Sequence, residues 1–179
     1  MFSFDKFNSF KKQSEIVFKS RFLNNFSPME RYEFLQLCHR RNYKENEFIY
    51  YQGDPGTGMY FIEEGKVQLI AETGYDEQET ITLNLDSPQS FGALSIGYEL
   101  RRASSAKCLT DCTLLGFFKP DFETLRNRHP QIAVKFLETL SMIAMQQLER
   151  TRKALVDARG ARSAFDIYFK TYYEETDSE

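Results

Sequence analysis

The chain has 179 residues, 41% of them hydrophobic and 27% charged, with a net charge of −3. That is the composition of one soluble globular domain with extensions, long enough to bury a core, and without the cationic excess that general nucleic-acid binding demands. An odd set of three cysteines (Cys38, Cys108 and Cys112) suits reduced thiols in the cytoplasm rather than a disulfide framework.

Residues 1–40 scatter Phe2, Phe4, Phe7, Phe10, Phe18, Phe22 and Phe26 among polar residues, at the three- and four-residue spacings of amphipathic helices. The first twenty interleave Phe with Lys and Ser, so they lack the continuous apolar stretch of a signal peptide. No run of about 18 apolar residues follows anywhere, which predicts no membrane span. Ser27-Pro28-Met29-Glu30 is a helix start, with Ser27 as N-cap and Pro28 in the first position. The helix it opens carries Tyr32, Phe34, Leu35 and Leu37.

The period changes over residues 41–118. Phe48-Ile49-Tyr50-Tyr51, Met59-Tyr60-Phe61-Ile62, Val67-Gln68-Leu69-Ile70, Thr80-Ile81-Thr82-Leu83 and Cys112-Thr113-Leu114-Leu115-Gly116-Phe117 are short β-branched and aromatic runs. Turn signals separate them at Gly53-Asp54-Pro55-Gly56, Glu64-Gly65-Lys66, Gly74-Tyr75-Asp76 and Asp86-Ser87-Pro88. Many short strands so spaced predict a sandwich or small barrel of jelly-roll type. Within this zone Cys108 and Cys112 have a spacing that suggests a metal site, but a structural zinc needs four ligands and only His39 and His129 remain as soft candidates. Two residues on a β-hairpin is the simpler expectation.

Residues 119–179 return to helix. Pro120-Asp121-Phe122 opens a short one, and His129-Pro130 punctuates before a long one starting near Gln131. Ile132, Phe136, Leu140 and Ile143 form a stripe suited to packing on the barrel. Leu137, Ala144, Leu148, Thr151, Leu155 and Ala158 form a second, at the alternating three- and four-residue steps of a coiled-coil seam. Residues 137–158 are therefore expected to join two copies as a homodimer, the alternative being that this stripe covers the chain's own N-terminal helices. Arg162 and Phe165 continue the spacing beyond Gly160, a residue that tends to end a helix.

From Asn42 to Thr113 the order of elements and the local words resemble the cyclic-nucleotide-binding domain family, and counting the flanking helices the resemblance covers roughly residues 22–155. The phrases that carry the resemblance, in order, are Phe48-Ile49-Tyr50-Tyr51-Gln52-Gly53-Asp54-Pro55-Gly56, Met59-Tyr60-Phe61-Ile62-Glu63-Glu64-Gly65-Lys66-Val67, Phe91-Gly92-Ala93-Leu94-Ser95-Ile96 and Arg101-Arg102-Ala103-Ser104-Ser105. Asp111-Cys112-Thr113-Leu114-Leu115, Phe122-Glu123-Thr124-Leu125 and His129-Pro130 follow. Any one is weak, but the ordered set is specific. The resemblance implies a mainly β protein with flanking helices: a jelly-roll β-barrel, N-terminal helices and a long C-terminal dimerisation helix. It divides the chain into an arm over 1–21, the barrel domain with its flanking helices over 22–130, and the helix with an acidic aromatic tail over 131–179.

The resemblance also places the ligand pocket, a phosphate-binding cassette, over residues 91–105. The residues expected to meet ligand are Phe91, Gly92, Ala93, Leu94, Ser95, Arg102, Ala103 and Ser104. Gly92 permits close backbone approach and opens a short helix over 94–98, whose first N–H groups suit an anion. Arg102, ten residues on, is placed to fold back onto a cyclic phosphate. Ala103 is small enough to allow approach, and Ser104 offers a hydroxyl. Arg101 stands where the family usually has Pro, which leaves open a one-residue shift in register. The larger departure is Ala93, where the family's Phe-Gly-Glu-Leu pattern has a glutamate for the ribose 2′-hydroxyl. Losing that bond costs about 1.5–3 kcal/mol, or roughly ten- to hundredfold in affinity.

Three readings follow: a sensor that binds cAMP or cGMP weakly or with altered specificity, a dimeric scaffold that kept the fold without the ligand, and a site for another anion such as a cyclic dinucleotide. None involves catalysis, since the chain has no Ser/His/Asp order, no His-Glu-x-x-His and no phosphate loop. About fifteen residues after Ala164, ending Glu174-Glu175-Thr176-Asp177-Ser178-Glu179, leave no room for a helix-turn-helix. The expectation is a protein partner and no DNA. Arg101-Arg102-Ala103-Ser104 also looks like a kinase substrate, but cassette residues are expected to be buried. Phe165, Tyr168, Phe169, Tyr172 and Tyr173 are suited either to stacking on a base or, more simply, to packing on protein.

Overall fold

The structure, a computed structural model, describes Ile16 and residues 19–72, 80–96 and 100–173, with side chains as far as Ile167 and without that of Ser95. The aromatic residues Phe2, Phe4, Phe7, Phe10 and Phe18, the turn at Gly74-Tyr75-Asp76, and residues 174–179 lie outside it, as do the side chains of Tyr168, Phe169, Tyr172 and Tyr173.

Among the described residues, eight antiparallel strands form the jelly roll: β1 (His39–Tyr43), β2 (Phe48–Tyr50), β3 (Gly58–Glu64), β4 (Lys66–Glu72), β5 (Thr80–Asp86), β6 (Ser90–Phe91), β7 (Ser105–Cys108) and β8 (Cys112–Phe118). One sheet has the order β1-β8-β3-β6 and the other β2-β7-β4-β5. The helical elements are a 3₁₀ turn (Arg21–Leu23) and the helices α1 (Pro28–Gln36), α2 (Lys119–Arg128), α3 (Pro130–Arg159) and α4 (Ala161–Tyr173).

Pattern and caps explain most of this. Every residue of β3 from Gly58 to Glu63 is buried, because both faces of its sheet are covered. Tyr60 and Ile62 face the barrel interior with Val67, Phe91, Ala106 and Leu114. Phe61 and Phe117 face the opposite way into a layer of rings from the helices: Phe34 lies 4.6 Å from Phe117 and 5.6 Å from Phe136, and Phe22 lies 5.7 Å from Phe61. Helix α1 starts as its sequence demands. The Glu30 amide donates to Ser27 Oγ at 3.3 Å and the Ser27 amide to Glu30 Oε2 at 2.7 Å, a complete capping box.

The chain divides into two compact units, one up to Thr139 and the other from Leu140. In the first, Ile132 and Phe136 are buried, with the Phe136 ring 5.3 Å from Phe117 and 5.5 Å from Phe122. In the second, α3 stops at Arg159 because Gly160 takes φ +84°, and a separate helix follows.

One expectation needs correction here. Cys108 and Cys112 are not on one hairpin: β7 pairs with β2 and β4, whereas β8 pairs with β1 and β3, so residues 109–111 cross between the sheets. Both thiols are buried and unoxidised, and burial with the neighbouring Cys112 thiol pushes Cys108 up to about 12. Strands β1 and β6 went unread in the sequence because neither shows an apolar alternation, and β7, whose Ser-Ala-Lys-Cys does alternate, because it has only four residues. β1, His-Arg-Arg-Asn-Tyr, is an exposed edge strand held by polar ties: Arg40 to the buried Glu63 at 2.6 Å and His39 to Asp121 at 2.9 Å.

Candidate ligand-binding site

The cassette begins at Phe91 in β6, whose backbone pairs with Tyr60 of β3. The chain must then turn sharply, and Gly92 does so at φ +77°, in the left-handed region that only glycine enters without strain. A Cβ there would meet Arg102 Nη1 at 2.5 Å and the Gly58 carbonyl oxygen at 3.2 Å, so close packing requires glycine as well. Ala93, Leu94 and Ser95 form a single 3₁₀ turn, closed by the Ile96 amide donating to Ala93 O at 3.2 Å.

The expected short helix over 94–98 is therefore corrected: Ile96 is already extended at ψ 120° and is drawn into the core with 2% exposure. Gly97 and Tyr98 lie outside the described residues.

The far side of the cassette is zipped to the turn between β2 and β3. The Arg102 amide donates to Asp54 O at 2.9 Å, the Gly53 amide to Arg102 O at 2.9 Å and the Gly56 amide to Leu100 O at 3.0 Å. This antiparallel ladder sets Pro55 opposite Arg101 as a pair that exchanges no backbone hydrogen bond. The amide of residue 101 therefore takes no part in it, which is why Arg and Pro are both acceptable there. The Arg101 side chain points away and donates to Gly53 O at 2.8 Å.

The register question is thereby answered: Arg102 is the arginine that turns inward. Its Nη2 donates to Gly58 O at 2.6 Å and its Nη1 to Gly92 O at 3.2 Å, and the guanidinium lies 4.2 Å from the centre of the Tyr50 ring. Only 5% of the residue is exposed. The sequence led one to expect Arg102 on a phosphate; in the structure it folds back onto Gly92, through a carbonyl. Ala103 is exposed and Ser104 half-buried next to the Tyr50 hydroxyl, while Phe91 is buried with its ring stacked 5.4 Å from Tyr60.

Sequence reasoning missed Tyr50 and Gly58 as parts of this site. Gly58 carried a signal, being a glycine at the mouth of a strand, where a backbone often approaches closely. Burial raises the Tyr50 phenol, and the Arg102 charge pulls in the opposite direction. Ala93 brings no carboxylate to the turn.

This arrangement, a glycine turn and an inward arginine inside a jelly roll, coincides with a match to the family model for the cyclic nucleotide-binding domain over residues 40–129. The chain belongs to that family. It is 34% identical over 99 residues to the cyclic AMP receptor protein of Thermus thermophilus, covering 55% of this chain and 45% of that one. It is 24% identical over 152 residues to human cGMP-dependent protein kinase 2, covering 79% of this chain and 19% of the kinase. Among solved structures, the catabolite activator protein of Thermus thermophilus superposes with a TM-score of 0.66 at 28% identity, over 75% of this chain and 61% of that one. The chain thus spans less than half the length of these two curated relatives.

Proposed function

We propose that the chain is a regulatory rather than catalytic domain that binds cyclic AMP or cyclic GMP at the cassette 91–105, with weakened or altered ribose recognition, and signals through a partner protein. The observation that carries this reading is the turn of Arg102 onto Gly92 within the family-matched segment, beside a position 93 that lacks a carboxylate. One relative's name specifies cyclic AMP and another's cyclic GMP, so the two nucleotides are put on an equal footing. The site residues are Phe91, Gly92, Ala93, Leu94, Ser95, Arg102, Ala103 and Ser104, in a barrel domain spanning 22–130.

Pairing of two copies through residues 137–158 is supported by Leu137 and Leu148, which are 42% and 44% exposed in the single chain. Three free thiols support a reducing compartment, the cytoplasm. Among the described residues no helix is long and apolar enough to cross a membrane.

Titration calorimetry with both cyclic nucleotides, after mass spectrometry of any ligand that copurifies, tests the reading. Micromolar or weaker binding of one of them supports it, and no heat with either removes it. Leu148→Glu with Leu155→Glu should give monomers by light scattering from a dimeric wild type; a wild type already monomeric at high micromolar concentration ends the pairing proposal.

A second reading, a scaffold that no longer takes ligand, is favoured by the depth of Arg102 and its engagement with two carbonyls of its own chain. It expects a folded dimer silent to both nucleotides.

A further inference from the structure

The side chain that makes the most of the cassette is not in it. Tyr50 stands on β2, outside the residues that the sequence assigns to ligand. Its ring lies 4.2 Å from the Arg102 guanidinium and 6.1 Å from the ring of Phe91, so one side chain touches both ends of the cassette. Ser104, two residues past Arg102, comes near enough to the phenol to favour its ionised form against the effect of burial.

An irregularity in the strand puts it there. Phe48 pairs with Lys107 and Tyr50 with Ala106, so two steps along β2 oppose one step along β7. The bulge at Ile49 breaks the alternation of faces. Phe48 and Tyr51 stack on each other at 4.7 Å, while the adjacent Ile49 and Tyr50 both pack against the barrel core. In a regular strand those two neighbours would face opposite sides. The extra residue is what turns a tyrosine inward beneath Arg102.

We infer that Tyr50 is the positioning residue of the anion site: its ring fixes the plane of the Arg102 guanidinium and, with Phe91, holds the two ends of the cassette together. This rests on the nucleotide-binding reading above. A long, flexible arginine loses rotamer freedom when it clasps a phosphate, and a ring that has already set its plane removes part of that cost. Stacking of a desolvated guanidinium on an aromatic face is strong enough to matter for affinity.

The test uses the full chain, with cyclic AMP and cyclic GMP and the two phosphorothioate diastereomers of whichever binds more tightly. Each diastereomer replaces one exocyclic oxygen by sulfur, so their affinity ratio reports how well defined the arginine–oxygen contact is. Tyr50→Leu should weaken binding about three- to thirtyfold and bring the ratio towards one. Tyr50→Phe, which keeps the ring, should keep the ratio, and Tyr50→Met serves if the leucine variant does not fold. A tyrosine that merely fills the core would lower the melting temperature of Tyr50→Leu and leave the ratio as in wild type, and that outcome overturns the inference alone. A wild type that binds neither nucleotide overturns this inference together with the reading it rests on.

Discussion

The two sheets of the roll share a core but live in different surroundings. In the sheet β1-β8-β3-β6 the central strands β8 and β3 are covered on both faces: Tyr60, Ile62 and Leu114 fill the barrel on one side, and Phe61 and Phe117 meet the rings of Phe22, Phe34 and Phe136 on the other. The sheet β2-β7-β4-β5 has one packed face. At its edge β5 leaves Ile81 and Leu83 64% and 57% exposed, and only Leu85 is buried. The candidate site is assembled from both. Gly58, Phe91 and Gly92 come from the doubly covered sheet and the turn that leaves it, while Tyr50, Arg102 and Ser104 come from the open sheet and the chain entering it. Elements that respond to ligands belong to the less stable part of a fold, where few buried contacts resist rearrangement. A ligand bridging the Gly92 turn and Arg102 would tie the yielding half to the rigid one.

The comparison breaks most easily at the aromatic layer. Phe34 has no exposed surface and contacts the rings of Phe26, Phe61, Phe117 and Phe136. Phe34→Ala should cost about 3–5 kcal/mol of unfolding free energy, read by urea titration with an unchanged slope. A loss below about 1 kcal/mol would mean that the helices do not cover this sheet tightly, and the contrast between the sheets would go with it.

Arg102→Ala is next in size. The buried Gly58 O and the part-buried Gly92 O lose the Arg102 donor, and a ring loses its stacked cation. The expected cost is about 2–4 kcal/mol, with nucleotide binding abolished in the same protein. A phosphate ligand with no internal role would have left the free protein's stability unchanged, so the melting temperature without nucleotide separates the two descriptions of Arg102.

What the sequence made legible cuts across that divide, because the unread β1 and β6 both belong to the covered sheet. The strands with apolar runs, the N-cap at Ser27 and the break at Gly160 were all readable, because each is enforced within a few neighbouring residues. β1 was not: its five residues are polar, and its place depends on pairing with β8 and on Arg40 reaching Glu63, 23 positions away. β6, with two residues, is too short to show a period. At the candidate site, Gly92 and Arg102 were singled out through their words and spacing, and the structure brings the two together. The role of Tyr50 was hidden because it depends on a bulge, and a bulge is set by the partner strand.

Ala93→Glu sharpens the comparison at the turn itself. If the cassette is a nucleotide site short of a ribose acceptor, the new carboxylate should tighten cyclic-nucleotide binding about ten- to hundredfold. The gain should disappear with the 2′-deoxy analogue, which has no hydroxyl to donate. In a scaffold the same carboxylate finds no partner in a half-buried turn, and its desolvation lowers the melting temperature without any gain in binding. Calorimetry and thermal unfolding of this one variant therefore distinguish the readings.

The smallest effect is expected at the open edge. Leu83 pairs with Leu69 across β4 and β5, yet more than half of its surface remains in solvent. Leu83→Ser removes little buried area and leaves the backbone ladder intact, so its unfolding free energy should lie within about 0.5 kcal/mol of wild type. An exposed apolar edge strand is also a surface on which chains associate, so the measurement is made over a hundredfold range of protein concentration. If the variant loses 2 kcal/mol or more, and the wild-type melting temperature rises with concentration while the variant's does not, then β5 is covered in solution by a second chain. The open sheet would then be open only in the isolated protein, and the rigid and yielding halves would be distinguished by assembly rather than by the fold.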